Sequence, residues 1–512
     1  MTTEAERLLA EREAALGPGG AGPAGAGPLD AKGLRRLVLG FEKRVAENLE
    51  ARLKYAEQPE KFMESEVDLD EEVNKLKVLS ASAELYPEFI KLNAVPSLLS
   101  LIGHENASIA ADAMDVIREL TDSDVVEDEI EAAGALAQAL VDNNVLELLA
   151  ERLFQFKEAV PEEATAVFNS LQILENLVEI LPAAAGLLGE KTQILPWLLR
   201  RVRAGAHDSN RLYASEILSI LTIGNGANQD RLLAADGVEA LLQSVAPYRK
   251  RDPEDPDEEE FLENLFGVLR SLLLEKAACK EAFVGKEGLE LMLKFLKKKC
   301  FARHSALKVV DFALTRSPEA CERFVAALGL KPIFAFFMGK GLSKSDRREE
   351  TTEAFTERVL AVIANLLKEL GRGSGRDRVC AKFVENDGEK VDRLVELYQK
   401  YSARVDELDP AEADGDEPED IYLHRLENGL YALQRVAGVL GALWTTGDAA
   451  LQQRILSGLH RDEETLGSVA DVLAQQEQFL GATEAPEHVQ RDGEQLRVLV
   501  KCLTVPAEPA ES

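Results

Sequence analysis

The stretch NAVPSLLSLI, residues 93–102, decides the fold of this chain: a polar residue opens directly into an apolar-rich helix start. The same phrase returns as NNVLELLAERL from Asn143, QILPWLLRRV from Gln193, DGVEALLQSV from Asp236, EGLELMLKFL from Glu287 and GLKPIFAFFM from Gly329. With Val95, Val145, Ile194, Val238, Leu289 and Leu330 taken as equivalent, the intervals are 50, 49, 44, 51 and 41 residues. A turn and a second amphipathic segment complete each unit, as in SIAADAMDVIREL, EEATAVFNSLQILENLVEI and SNRLYASEILSILTI. In Ser108–Leu120, for example, Ile109, Ala113, Val116, Ile117 and Leu120 form one stripe. Asp112, Asp115 and Glu119, at i, i+3 and i+7, form the opposite line.

Two to three helices in every roughly 40–50 residues is the signature of armadillo or HEAT repeats. Strand patterns are nearly absent, and Leu, Ala and Glu dominate. The expected fold is therefore all-α: a right-handed superhelical solenoid with degenerate repeats and a helical cap at each end. With 512 residues the chain is long enough for about three ordinary domains, but a repeated unit makes it one. The sequence divides into a flexible Gly/Ala/Pro-rich segment (1–30), an N-terminal helical cap (31–92) and the repeats (93–400). An acidic loop (401–421), a C-terminal helical cap (422–482) and a mostly disordered tail (483–512) follow.

The 59 Lys and Arg residues face 91 Asp and Glu, a formal net charge of −32. An overall surface of that sign repels phosphate and favours a basic partner. Direct nucleic-acid binding is a minority reading, since Arg200-Arg201, Arg203, Arg249–Arg251 and Lys297–Lys299 interleave with acids. It requires the last two clusters to form one continuous face. The five cysteines (Cys279, Cys300, Cys321, Cys380, Cys502) never form CxxC and read as reduced thiols, not as disulfides or a zinc site. No segment reads as a signal peptide or a membrane span.

Catalytic constellations are equally poor. Gly17-x-Gly19-x-x-Gly22 meets the dinucleotide spacing but lies in low complexity with no strand before it. Gly371, Gly373 and Gly375 punctuate a helix end, and GKGLSKS from Gly339 lacks a phosphate-loop spacing. Cys300 and His304, at i, i+4, read as packing rather than nucleophile or metal ligand. We expect no enzyme activity, no catalytic or metal-binding residue and no cofactor.

The partner surface is expected on the last helix of each repeat, which lines the concave groove of armadillo superhelices. Importin-α-type proteins hold basic peptides there with Trp-x-x-x-Asn pairs. Here Asn176 and Asn365 occupy the Asn position, with Gln172 and Ala361 four residues earlier and no indole. Two other units carry Asp115/Glu119 and Glu216/Ile220, and neither Trp197 nor Trp444 has Asn at i+4. Carboxylates at groove positions attract Lys and Arg in a salt-sensitive way. The candidate partner-binding residues are Asp112, Asp115, Glu119, Gln172, Asn176, Glu216 and Asn365.

The run from Glu47 to Asn106 (ENLEARLKYAEQPEKFMESEVDLDEEVNKLKVLSASAELYPEFIKLNAVPSLLSLIGHEN) resembles the β-catenin-like family of spliceosome-associated armadillo proteins. Collinear matches follow: ALVDNNVLELL at Ala139, LYASEIL at Leu212, ENLFGVL at Glu263, SALKVVDFA at Ser305, FVENDGEKVDRLVELYQKY at Phe383 and YLHRLENGLYALQ at Tyr422. The resemblance spans roughly residues 45–480. It implies a non-catalytic nuclear adaptor of pre-mRNA splicing that binds nuclear-localisation-type basic segments of splicing factors within a spliceosome-associated complex. Residues 1–46 offer only Arg35-Arg36 and Lys43-Arg44 as a targeting signal, so entry bound to a partner is open. An armadillo adaptor in cytoplasmic transport or cytoskeletal assembly, and an RNA-binding solenoid, remain alternatives. No membrane partner is expected, and self-association is left open.

Overall fold

A single residue with left-handed backbone, Asn93 at φ 56°, turns the chain into the first of these repeated helices. Asn144, Asp236 and Glu287 repeat the turn at φ 64°, 55° and 58°, and Leu328 does so at 63°. Asn and Asp tolerate this region because their short polar side chains bond locally, whereas Leu is strained there. Glycine follows at three of these turns, and its missing Cβ matters. A Cβ on Gly288 would stand 2.5 Å from the Phe283 ring, and one on Gly329 would stand 2.4 Å from the Phe324 ring. The turn therefore lets each short helix fold back tightly on the one before.

A computed structural model describes residues 29–122, 129–203, 207–341, 349–407, 418–462, 464–483 and 486–504. The Gly/Ala/Pro stretch up to residue 28, acidic residues 123–128 and 408–417, and residues 505–512 lie outside it. Among the described residues every regular element is a helix. Val95, Val145, Ile194, Val238, Leu289 and Leu330 each sit at the start of a short helix and are buried. Each contributes about 1.5–3 kcal/mol of apolar burial. The repeat read from the sequence is the repeat of the fold, an armadillo-type α-solenoid.

The chain groups into two compact units. Unit 1 runs to Ser244 and includes Asp255–Val268; unit 2 comprises Val245–Glu254 and Leu269 onward. The sequence suggested one domain, but in a solenoid each repeat touches only its neighbours, so contacts divide locally. Unit 1 contains α1 (Ala31–Lys54), α2 (Met63–Lys75), α3 (Ala107–Leu120), α4 (Pro161–Ile180), α5 (Ser209–Thr222) and α6 (Pro256–Glu275) up to Val268. In it α3 packs between α2 and α4, and α4 packs on α5. Unit 2 contains α7 (Arg303–Leu314), α8 (Glu349–Glu369), α9 (Glu389–Asp406), α10 (Tyr431–Trp444), α11 (Leu466–Gln478) and α12 (Pro486–Thr504). There α8 lies between α7 and α10, and α12 packs on α10 and α11.

Three boundaries differ from expectation. The acidic loop does not begin at residue 401, because Tyr401 and Val405 are buried and carry α9 to Asp406. Residues 418–421 are helical as well, in Pro418–Arg425. The tail expected to be mostly disordered contains α12, which starts on Pro486 and buries Leu503. Proline suits a helix's first position, where its missing N–H has no partner to lose.

Candidate peptide-binding surface

The three acids of α3 are already matched within unit 1. Asp112 accepts a hydrogen bond from Asn74 Nδ2 at 2.9 Å. The Asp112 carboxyl beside it, together with burial, pushes Asp70 up to about 6. Burial would raise Asp115, but Lys77 Nζ at 2.6 Å and Arg118 at 2.8 Å outweigh it and hold the carboxyl below its ordinary value. Glu119 lies 3.6 Å from the same Arg118. These acids join α3 to its neighbours and offer little unmatched charge to a ligand.

Both asparagines assigned to a peptide ladder are structural ties. The Asn176 amide donates to Thr121 Oγ1 at 3.2 Å and to Arg118 O at 3.4 Å. The Asn365 amide donates to Asp311 Oδ1 and Thr315 Oγ1, each at 3.0 Å. Thr121 and Thr315 cap the ends of α3 and α7, so each asparagine on one long helix satisfies the end of the preceding one. At 7% and 5% exposure both amides are committed, because an orphaned buried donor would be costly. Asn264 on α6 makes a similar tie, donating to Ser215 Oγ at 3.2 Å.

Glu216 behaves differently. It is half-buried on α5, and burial together with the charges of Glu260 and Glu175 pushes its carboxyl up to about 7. Among the described residues no Lys or Arg forms an ion pair with Glu175, Glu216 or Glu260. Helical spacing explains the convergence. On α4, Phe168, Gln172 and Glu175 share a stripe; on α5, Tyr213, Glu216 and Ile220 do; on α6, Asp257, Glu260 and Asn264 do. Three successive long helices thus bring carboxylates near one another, Glu216 feeling the charges of both Glu260 and Glu175. The Tyr213 hydroxyl donates to Glu175, and burial with that carboxylate raises the tyrosine well above its ordinary range. Phe168 packs on Tyr213 with ring centroids 5.1 Å apart and remains 37% exposed, as Ile220 remains 38% exposed. Apolar surface beside carboxylates that no Lys or Arg pairs among the described residues suits a side chain with an apolar stem and a cationic head, which is Lys or Arg.

Of the candidate residues, the structure brings Glu216 and the half-buried Gln172 to this surface. It adds Glu175 and Glu260, which sequence reading missed. Their signal was present in the i, i+3, i+7 stripes of consecutive repeats, but only three helices superposed in register reveal it.

Elsewhere the catalytic candidates separate. Cys300 Sγ faces Phe295 O at 3.7 Å, whereas His304 packs on Phe355 with centroids 4.8 Å apart. Arg201 is bound by Glu158 and Asp208. The clusters Lys297–Lys299 and Arg249–Arg251 do adjoin in unit 2, through Lys298 Nζ donating to Arg249 O at 2.8 Å. Asp252 lies between them, accepting from Phe301 N. Among the described residues no group of three or more His, Cys, Asp or Glu residues has a metal-site arrangement. None of their helices is long and apolar enough to cross a membrane.

Recurrent short helices after a left-handed turn, with long helices stacked side by side, define an armadillo-repeat protein, a scaffold class. More narrowly, a family model described as catenin-beta-like, Arm-motif containing nuclear matches residues 21–474, and the chain belongs to that family. Beta-catenin-like protein 1 of Homo sapiens is 37% identical over 488 residues, covering 92% of this chain and 85% of that one. The Schizosaccharomyces pombe homolog is 34% identical over 431 residues, covering 82% and 74%. A solved structure from work on the cadherin and beta-catenin interaction superposes with a TM-score of 0.52 at 16% identity. It covers 98% of this chain and 84% of that one, a likeness of fold alone.

Proposed function

We propose that this chain is a non-catalytic adaptor of pre-mRNA splicing that works in the nucleus and holds Lys/Arg-rich segments of splicing factors. The observation that carries the binding part is the carboxylate cluster Glu175, Glu216 and Glu260, which has no ion-pairing cation among the described residues and whose central member is driven toward protonation at neutral pH. A Lys or Arg head placed among them supplies the missing counter-charge and draws Glu216 back to its ordinary range. Binding therefore releases protons, and affinity rises as pH climbs from 6 to 8. The family's description as nuclear and the resemblance to spliceosome-associated proteins support the setting.

The binding test uses a fluorescein-labelled Lys/Arg-rich peptide titrated into the full chain and into Glu175→Gln/Glu216→Gln/Glu260→Gln. The reading requires binding that weakens with salt and is lost in the triple variant; equal affinity for both chains refutes it. Affinity purification from nuclear extract at two salt concentrations tests the setting. Recovery of spliceosomal proteins at low salt is expected, and their absence, with cytoskeletal or transport factors recovered instead, favours the cytoplasmic alternative.

A further inference from the structure

Unit 2 contains a cavity of about 1470 Å³ bounded by α8, α10, the helix Ser374–Val384 and α12. Its charge runs against the rest of the chain. On the solenoid side five cations, Arg316, Lys368, Arg372, Arg376 and Arg435, line it against three carboxylates. The crowding of positive charge is felt nearby: burial, and then the Arg316 charge, push the Lys280 ammonium down to about 8. At physiological ionic strength distant acids are screened beyond about 8 Å, so this local balance governs what enters.

The two ends of α12 are held differently. Its C-terminal half is seated by apolar contacts, with Leu499 and Leu503 against Gly441, and by Trp444 Nε1 donating to Cys502 O at 3.1 Å. Its N-terminal half is tied across the cavity by ion pairs, with Gly493 buried beside Leu480. Arg491 reaches Glu369 at 2.5 Å, and Asp492 lies 2.9 Å from Lys368 Nζ and 3.8 Å from Arg316. Asp492 is 3% exposed, yet neither of its oxygens receives a hydrogen bond, and Glu369 Oε1 receives none either. A buried carboxylate placed beside cations but not hydrogen-bonded by them recovers only part of its desolvation cost. Lys368 and Arg316 thus face a poorly fitted anion carried on α12.

We propose that this groove is a docking site for an acidic helical segment of a partner protein, and that α12 occupies it in the partner's absence, with Asp492 standing where the partner's carboxylate would bind. A partner presenting several carboxylates along one helix face would pair Lys368, Arg316 and Arg435 together, while α12 keeps its apolar anchor at Leu503. The site is independent of the basic-peptide surface of unit 1 and takes the opposite chemistry.

The test uses the full chain and a labelled Ala/Glu-rich helical peptide, with an Ala/Lys-rich peptide as counterpart. Removing the occupant's carboxylate raises the fraction of open groove, so Asp492→Ala should bind the acidic peptide at least about tenfold more tightly than the wild type. Adding Lys368→Glu to that variant should abolish the gain, and the Ala/Lys peptide should respond to neither change. No gain in Asp492→Ala, or an equal gain for both peptides, overturns the proposal. Arg491→Ala loosens the same helix end from the other pair and should give a smaller gain in the same direction. If Asp492→Ala fails to fold by circular dichroism, the absence of that smaller gain overturns the proposal instead.

Discussion

Replacing Glu216 with Gln should make the protein more stable at alkaline pH and, at the same time, a poorer binder. The carboxyl stands at about 7 rather than its ordinary 4.5. At about 1.36 kcal/mol for each tenfold change in proton affinity, that difference sets an upper limit near 3 kcal/mol. Glu216 is only half-buried, so solvent screening reduces the effect to about 1 kcal/mol. A carboxyl raised on folding binds its proton more tightly in the folded chain than in the unfolded one. Its favourable contribution is complete below about pH 4.5 and is lost as pH rises through about 7. Above that pH the wild type holds three mutually repelling carboxylates, and Gln relieves one of them. Urea denaturation of Glu216→Gln at pH 8 should give a higher midpoint than the wild type, and the gap should narrow toward pH 5. Fluorescence polarisation with a Lys/Arg peptide at pH 8 should show weaker binding by the same variant. A variant equally or less stable at pH 8 would refute the reading of Glu216 as an unmatched acid. Unchanged peptide affinity would refute its role as a ligand-facing one.

Other expectations follow from the same contacts. Asn365→Ala removes donors from buried Asp311 and Thr315 and should cost about 1–3 kcal/mol in denaturant titrations, without altering Lys/Arg-peptide affinity. The turn before Leu330–Phe337 allows a paired test with opposite signs. Gly329→Ala pushes a Cβ into the Phe324 ring and should lower thermal stability, by about 1–3 kcal/mol. Leu328→Gly releases a left-handed leucine that is 63% exposed and should raise stability by about 1 kcal/mol. Asp70 is raised to about 6 by its hydrogen bond with Asp112 and by burial, so its contribution fades as pH rises through 6. Asp70→Asn should therefore be more stable than the wild type at pH 7.5, by less than about 1 kcal/mol after screening, with the gap closing at lower pH.

The repeat was legible because burial imposes it locally. Six apolar helix starts, 41 to 51 residues apart, all became core, and five of them follow a left-handed turn that has Asn, Asp or a following Gly visible in the sequence. The candidate site was legible only in part, because its chemistry lies between helices. Asp115 looked like a groove acid until Lys77, 38 residues away, proved to hold it. Asn176 looked like a ladder residue until Thr121, 55 residues away, accepted its hydrogen bond. Glu216 is set apart from them by neighbours that repel it rather than pair with it, and no single helix encodes that contrast. Helix α12 escaped notice for a compositional reason: Pro486–Thr504 is rich in Glu, Gln and Arg, and its few leucines become a packing stripe only when Gly441 lets them approach.

Whether the unpaired Glu216 and its neighbouring carboxylates hold a cationic segment is measured most directly by proton release. Calorimetric titration of one Lys/Arg peptide into the full chain at pH 7, in two buffers of different ionisation enthalpy, counts the protons released per peptide bound. The account predicts a net release that disappears in Glu216→Gln. Peptide binding with no proton release, or with release unchanged in that variant, would contradict it.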